Sequence, residues 1–209
     1  MKRDTNVLAP LRAGWHKLRR SRFDNRTFWN DRYTKDPDRG SGPGSRGDLA
    51  VLKGGIVRTQ MVAHNASSVL DLGCGDIEIL QGIEIPRYRG VDLSEVVVDR
   101  NRRLRPEWHF EAGEIGTLAL GDENWDMTLC LDVLIHQKRR EDYEALLSKI
   151  AEADSKVIIV SGYEVPPAGW NVFFHEPLSV SLRRVLPARS FRHAARYRDT
   201  ELFLAGPPA

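Results

Sequence analysis

The sequence predicts an α/β protein built on a doubly wound, mostly parallel sheet, in which strands and helices alternate from Ser67 onward. Three observations predict it. Five short apolar runs rich in β-branched residues read as strands buried on both faces: residues 68–72, 88–92, 108–111, 127–131 and 156–161. Helical periodicity lies between several of them. A glycine-rich turn, Gly73-Cys74-Gly75, leaves the first run, at the strand end where such sheets bind nucleotides.

Residues 1–35 are basic and aromatic (Trp15, Phe23, Phe28, Trp29, Tyr33) and are expected to form one or two short helices packed on the body. Residues 36–47 are the chain's densest Gly/Pro/Ser stretch, which marks a loop. Asp48 is placed to cap a helix carrying Leu49, Leu52 and Ile56 on one face, although Gly54 and Gly55 weaken it. Ser94 is a cap for a helix with Val97, Asn101 and Leu104 in register. The clearest helix is 140–152, where Tyr143, Leu146, Leu147, Ile150 and Ala151 follow i, i+3, i+4, i+7, i+8 spacing. A helix over 177–186 precedes two runs, 191–197 and 201–205, that read as a closing antiparallel pair. The expectation is a seven-stranded sheet with helices on both faces and an antiparallel C-terminal strand. Residues 1–47 form an extension with a candidate lid, and 48–209 the single main domain.

Composition is that of a soluble globular chain: 209 residues, 41% hydrophobic, 29% charged, net charge +2. That net charge does not by itself imply nucleic acid. The distribution is less even. Residues 1–26 hold eight Lys or Arg, and Arg183, Arg184, Arg189, Arg192, Arg196 and Arg198 run without an acid between them. Such clusters are either solvated faces or surfaces for a phosphate-bearing substrate, an acidic lipid or nucleic acid. Two cysteines make neither a disulfide framework nor a metal motif. No apolar signal or spanning segment is present, so a cytoplasmic location is expected.

The ligand of the glycine turn is legible in its charges. The dinucleotide fingerprint needs a third glycine where Glu78 stands. Asp71 and Asp76 flank the turn and would repel a pyrophosphate, whereas they suit a ligand with an amino group and a sulfonium. Asp92 ends the second strand 17 residues past Gly75, where an acid accepts hydrogen bonds from ribose hydroxyls.

Three segments then come in order: Asp71-Leu72-Gly73-Cys74-Gly75-Asp76, Tyr88-Arg89-Gly90-Val91-Asp92-Leu93-Ser94, and 125–136 with Leu131, Asp132 and His136. Together they resemble the successive motifs of class I, Rossmann-like S-adenosylmethionine (SAM)-dependent methyltransferases, over roughly 67–161. The resemblance implies that Asp71, Gly73, Cys74 and Gly75 line the methionine part of SAM. It implies that Asp92 holds the ribose diol, Leu93 lies against adenine, Glu114 sits near the adenine amine, and Leu131–Asp132 lie beneath the transferred methyl. One departure is Ile77, where the family often has a third glycine. The Gly-Cys-Gly-Asp variant is similar to small methyltransferases of glycan and natural-product pathways.

Methyl transfer to a hydroxyl is helped by a general base, commonly histidine. His136 after the fourth strand is the first candidate, with packing or capping of the loop as the plain alternative. His175 is the second and Asp132 an orienting group. His16, His64, His109 and His193 read as structural. No metal site is expected, Asp132 and His136 being only a lone i, i+4 pair. The 40–47 loop, with Ser41, Gly42 and Ser45, reads as an anion-binding backbone, a lid closed by Trp29 and Tyr33, or a plain linker. The leading expectation is O-methylation of a small polar acceptor, a sugar, glycan or natural-product intermediate, with a phosphate or acidic group on it to meet the basic segments. The alternatives are a nucleic-acid (ribose) methyltransferase and a non-catalytic SAM-binding partner protein. An Asn-Pro-Pro-Tyr-type motif for base amines is absent after the fourth strand. The sequence does not name the acceptor or the oligomeric state.

Overall fold

The structure, a computed structural model, describes residues 23–169 and 171–208. The basic cluster before Phe23, with Trp15 and His16, lies outside the described residues.

Five α-helices among the described residues surround one seven-stranded sheet. Helix α1 (Asn25–Lys35) is followed by a strap, residues 36–47, that contains a 3-10 turn at Pro43–Ser45. Then come α2 (Gly47–Ala63), β1 (Ser68–Leu72), β2 (Arg87–Asp92), α3 (Glu95–Leu104), β3 (His109–Ala112), β4 (Met127–Cys130), α4 (Arg140–Glu152) and β5 (Val157–Gly162). Helix α5 (Leu178–Val185) leads into the hairpin β6 (Arg189–Tyr197) and β7 (Thr200–Pro208). The strand order is β3-β2-β1-β4-β5-β7-β6. Strands β1 to β5 are mutually parallel, and β7 runs antiparallel between β5 and β6. Chain order reverses direction at β1, so a crevice opens at the carboxyl ends of β1 and β4.

Alternation along the strands divides the core in two. Val69 and Leu129 face Val57, Met61 and Val98 of α2 and α3. Leu70 and Leu72 face Leu146, Ile150 and Leu182 of α4 and α5. Leu70 is fully buried, and removing such a side chain from water contributes about 2 kcal/mol.

Two local expectations change. Helix α2 starts at Gly47, so Asp48 lies in its first turn and does not cap it; Arg46 occupies the cap position without a side-chain bond. Gly54, which weakens the helix by propensity, is required by packing. A Cβ there would lie 2.5 Å from the Ile79 carbonyl, so glycine lets α2 approach the segment after the glycine turn.

Helix α1 is capped by Asp24, whose Oδ1 accepts from the Thr27 N–H at 2.8 Å. It lies over the crevice. Ser94 Oγ donates to Asn30 Oδ1 (2.7 Å), and Arg26 Nη1 donates to the Leu93 carbonyl (3.3 Å). No helix among the described residues is long and apolar enough to cross a membrane.

Candidate active site

The turn after β1 is shaped by close backbone approaches. Gly73 (φ +89°) donates its N–H to the Val91 carbonyl at 2.8 Å, and a Cβ on it would run into the Val133 side chain. Gly75 (φ +54°) leaves room for Ser41 Oγ. Ile77 is also left-handed, at φ +54°. The position where the family often has glycine thus keeps glycine's conformation, at a cost of about 1–2 kcal/mol for a β-branched residue.

Four carboxylates surround this turn and the next. Asp71 accepts from Tyr88 OH at 2.9 Å. Burial, and secondarily the Asp92 charge, push its carboxyl up to about 7 against that hydrogen bond. Asp92 accepts from the Gly75 N–H (3.0 Å) and the Ser94 N–H (2.9 Å). Burial nonetheless pushes it up to about 6. Neither has an ion-pair partner among the described residues. Asp76 differs from both. It accepts from Ser41 N–H (3.0 Å) and Ser41 Oγ (2.8 Å) and pairs with Arg46, while its own N–H donates to Ser41 Oγ (3.0 Å). Burial raises its carboxyl, but Arg46 and Ser41 outweigh that and hold it below the usual range. The structure therefore corrects the reading of Asp76 as an acid open to a cationic ligand, because its charge is already engaged in fastening the strap.

Past β4, Asp132 adopts φ +61°. Its Oδ1 accepts from Tyr197 OH (2.6 Å) and Ser161 Oγ (2.9 Å), and its Oδ2 pairs with Lys53. A 3-10 turn, Leu134–His136, follows. His136 Nδ1 is 2.9 Å from the Asn171 carbonyl, and its ring meets the Trp29 ring edge-on at 5.1 Å. A carbonyl can only accept, so Nδ1 carries the proton and the neutral ring keeps its lone pair on Nε2. Burial lowers the imidazole's pKa, with Arg32 adding to the effect against the Asn171 carbonyl and Asp132.

These features share one cavity of about 780 Å³, within the range of cofactor sites. Asp71, Gly73, Cys74, Gly75, Asp92, Leu93, Glu114, Leu131, Asp132 and His136 line it, as do Trp29, Tyr33, Ser41 and Ser45. Glu114 is at its open edge, 3.7 Å from Arg26. Gly42 is not on the wall. Nor is His175, whose Nε2 bonds the Gln137 carbonyl at 2.9 Å and whose ring packs 5.0 Å from Tyr143, in a separate small hollow. The segment after β5 packs on the Leu134–His136 turn, with the Phe173 N–H donating to the Ile135 carbonyl at 2.7 Å, and His175 shares its hollow with Leu134 and Ile135. Sequence reading passed over Lys53, Arg46, Tyr88, Asn171, Ser161 and Tyr197. Only Tyr88 carried a local signal, a hydroxyl two residues before Gly90 in the strand that ends at Asp92. No cluster with metal-ligand character occurs among the described residues.

The donor set selects its ligand by charge. Two carboxylates without cations, the buried Asp71 and the half-buried Asp92, favour positive charge at Asp71 and hydroxyl donors at Asp92, which has lone pairs left for both hydroxyls of a ribose. The site fits SAM. Residues 69–153 match the family described as a methyltransferase domain. The fold is shared with magnesium protoporphyrin IX methyltransferase (ChlM) from Synechocystis PCC 6803, solved with S-adenosylhomocysteine. That likeness has a TM-score of 0.65 at 19% identity, over 87% of this chain and 97% of that one. N-methyltransferase NodS from Bradyrhizobium japonicum WM9, also solved with S-adenosylhomocysteine, gives a TM-score of 0.70 at 11% identity, over 89% and 100%. The methyltransferase domain of bacterial CtHen1-C gives 0.62 at 16%, over 77% and 100%. At these identities the likeness speaks for the fold. No curated protein matches the chain by sequence.

The fold is the class I, Rossmann-like one, and residues 69–153 within it match a methyltransferase domain. The methyltransferase-domain match over the strands that build the cavity, on a fold whose solved relatives hold S-adenosylhomocysteine, supports a SAM-dependent methyltransferase.

Proposed function

We propose that the protein transfers a methyl group to a hydroxyl of a small polar acceptor, a sugar, glycan or natural-product intermediate of the kind used in polysaccharide biosynthesis, with His136 as general base. The bound cofactor supplies an electrophilic methyl on a sulfonium. The chain's part is to align the acceptor, exclude water and take its proton. The observation that carries the reading is the state of His136. It lines the cavity with Nδ1–H fixed on the Asn171 carbonyl, and burial keeps the ring neutral, so Nε2 is ready to accept a proton.

The acceptor class follows from what is already occupied. Asp132, the acid on the same turn, is taken by Lys53, Tyr197 and Ser161, which disfavours recognition of a cationic amine there. Half of the arginine run near the C-terminus is paired with acids: Arg184 with Glu144 and Glu176, Arg189 with Asp154, and Arg196 with Glu201. That disfavours a nucleic-acid acceptor. Helix α1 and the strap act as the lid, with Trp29 and Tyr33 on its inner face. Two buried free thiols, Cys74 and Cys130, suit a reducing cytoplasm.

The test uses SAM labelled in its methyl group, with sugar nucleotides, oligosaccharides, phenols, primary amines and RNA as acceptors. Label is expected in an alkali-stable methyl ether. Label in an amine or in RNA overturns the reading. His136→Ala is expected to lower turnover about 100- to 10,000-fold while SAM affinity stays within about threefold. Full turnover in that variant removes His136 as the base.

A further inference from the structure

One buried ammonium joins the strap and helix α2 to two segments far along the chain. Lys53 lies inside α2 and its side chain is 0% exposed. Its Nζ donates to the Gly44 carbonyl of the strap at 2.7 Å and to Asp132 Oδ2, and it lies 4.2 Å from the centre of the Tyr197 ring on β6. Space here is as tight as charge. A Cβ on Gly44 would sit 2.7 Å from Asp132 Oδ2, so glycine lets the strap come down onto the carboxylate. On its other side Asp132 accepts from Tyr197 OH and Ser161 Oγ, and its N–H donates to Ser161 Oγ at 2.7 Å. These bonds hold Asp132 in its left-handed conformation, from which the chain enters the Leu134–His136 turn. The strap's earlier residues grip the glycine turn through Ser41 and Asp76.

We propose that Lys53 is a positioning residue that couples the two walls of the cavity, so that the strap over the cofactor end and the turn carrying His136 hold their geometry together or lose it together. The proposal rests on placing the acceptor beside His136, but it does not need His136 to be the base. A lysine suits the task because its ammonium offers three donors at the end of a long apolar stem. The stem crosses α2's buried face while the head reaches a carbonyl, a carboxylate and an aromatic ring.

Hydrogen exchange on the full-length protein, which needs no acceptor, tests it. In Lys53→Met, amides of 36–47 and of 131–137 are expected to exchange at least about tenfold faster, while α4 is unchanged. Gly44→Ala leaves Lys53 in place and pushes the strap off Asp132. It is expected to deprotect 131–137 as well, and it decides the matter if Lys53→Met does not fold. Protection of 131–137 unchanged in Gly44→Ala, or strap loss without turn loss in Lys53→Met, overturns the coupling. A second readout is the His136 imidazole followed by NMR. The groups facing it are Asp132 on its own turn, Arg32 and Trp29 on α1, and the Asn171 carbonyl. Without Lys53 the Asp132 charge is less compensated, so the titration midpoint is expected to rise, by about half a unit or more. A lysine that only fills space leaves it where it is. None of these measurements reads methyl transfer, so failure of the hydroxyl-acceptor reading is told apart from failure of this one.

Discussion

At the β1–β2 end of the cavity the buried Asp71 and the half-buried Asp92 have no cation beside them, whereas Asp76, held by the strap, and Asp132 on the far rim each hold a basic partner, Arg46 and Lys53. All four are aspartates near strand ends, and a linear motif treats them alike. The difference lies in who supplies the counter-charge. A buried carboxylate left alone is costly and protonates near neutrality, which is what the raised Asp71 and Asp92 show. A carboxylate with an internal partner is a fastening. Ligand charge is expected where the protein has withheld its own.

The largest test of this contrast is Asp92→Ala. It frees the Gly75 and Ser94 N–H groups and removes the ribose acceptor, so SAM affinity by calorimetry should fall at least about 100-fold. Unchanged binding would break the assignment. Next is Gly73→Ala, where positive φ and the Val133 contact combine; a loss of about 3 kcal/mol in denaturant unfolding is expected. Arg46→Ala strips Asp76 of its partner while Ser41 remains, and a loss of about 1–3 kcal/mol is expected. Asp71→Asn sharpens the comparison because its two effects have opposite signs. The free protein should melt higher at pH 8, since a buried charge is gone, while SAM binds about tenfold more weakly. The smallest effect is of pH itself. Asp71 and Asp92 have folded-state values of about 7 and about 6, above the unfolded 3.8. The folded free protein therefore keeps protons that the unfolded chain has lost, and these groups contribute less stability as pH rises from about 4 through 7. SAM, which favours the carboxylates, should bind a few-fold more tightly at pH 8 than at pH 6, releasing protons. A flat profile would place the uncompensated charge elsewhere.

Much of the sheet was legible because its signals are local. The run at Ser68–Leu72 and the helix at Arg140–Glu152 appear with the bounds the periodicity predicts, and the other early strands shift by about one residue. The antiparallel hairpin was also readable, but the placing of β7 between β5 and β6 was not, because strand neighbours depend on which edge is open after β5 forms. Gly54 misled for a similar reason: its propensity argued against α2, and its contact with the Ile79 carbonyl, far along the chain, required it.

By itself the sequence determined the fold class, the glycine turn and the acids around it, since strand periodicity, φ > 0 and charge are properties of neighbouring residues. Only the tertiary structure decided which of those acids are open and which are closed. Lys53 reaches Asp132 across 79 residues, Tyr197 reaches it across 65, and Arg46 meets Asp76 across 30. It also set the two histidines apart, His136 on the cavity wall and His175 in a separate hollow. Electrostatic partnership is set by distance in space, and a linear pattern does not contain that distance until the sheet has closed.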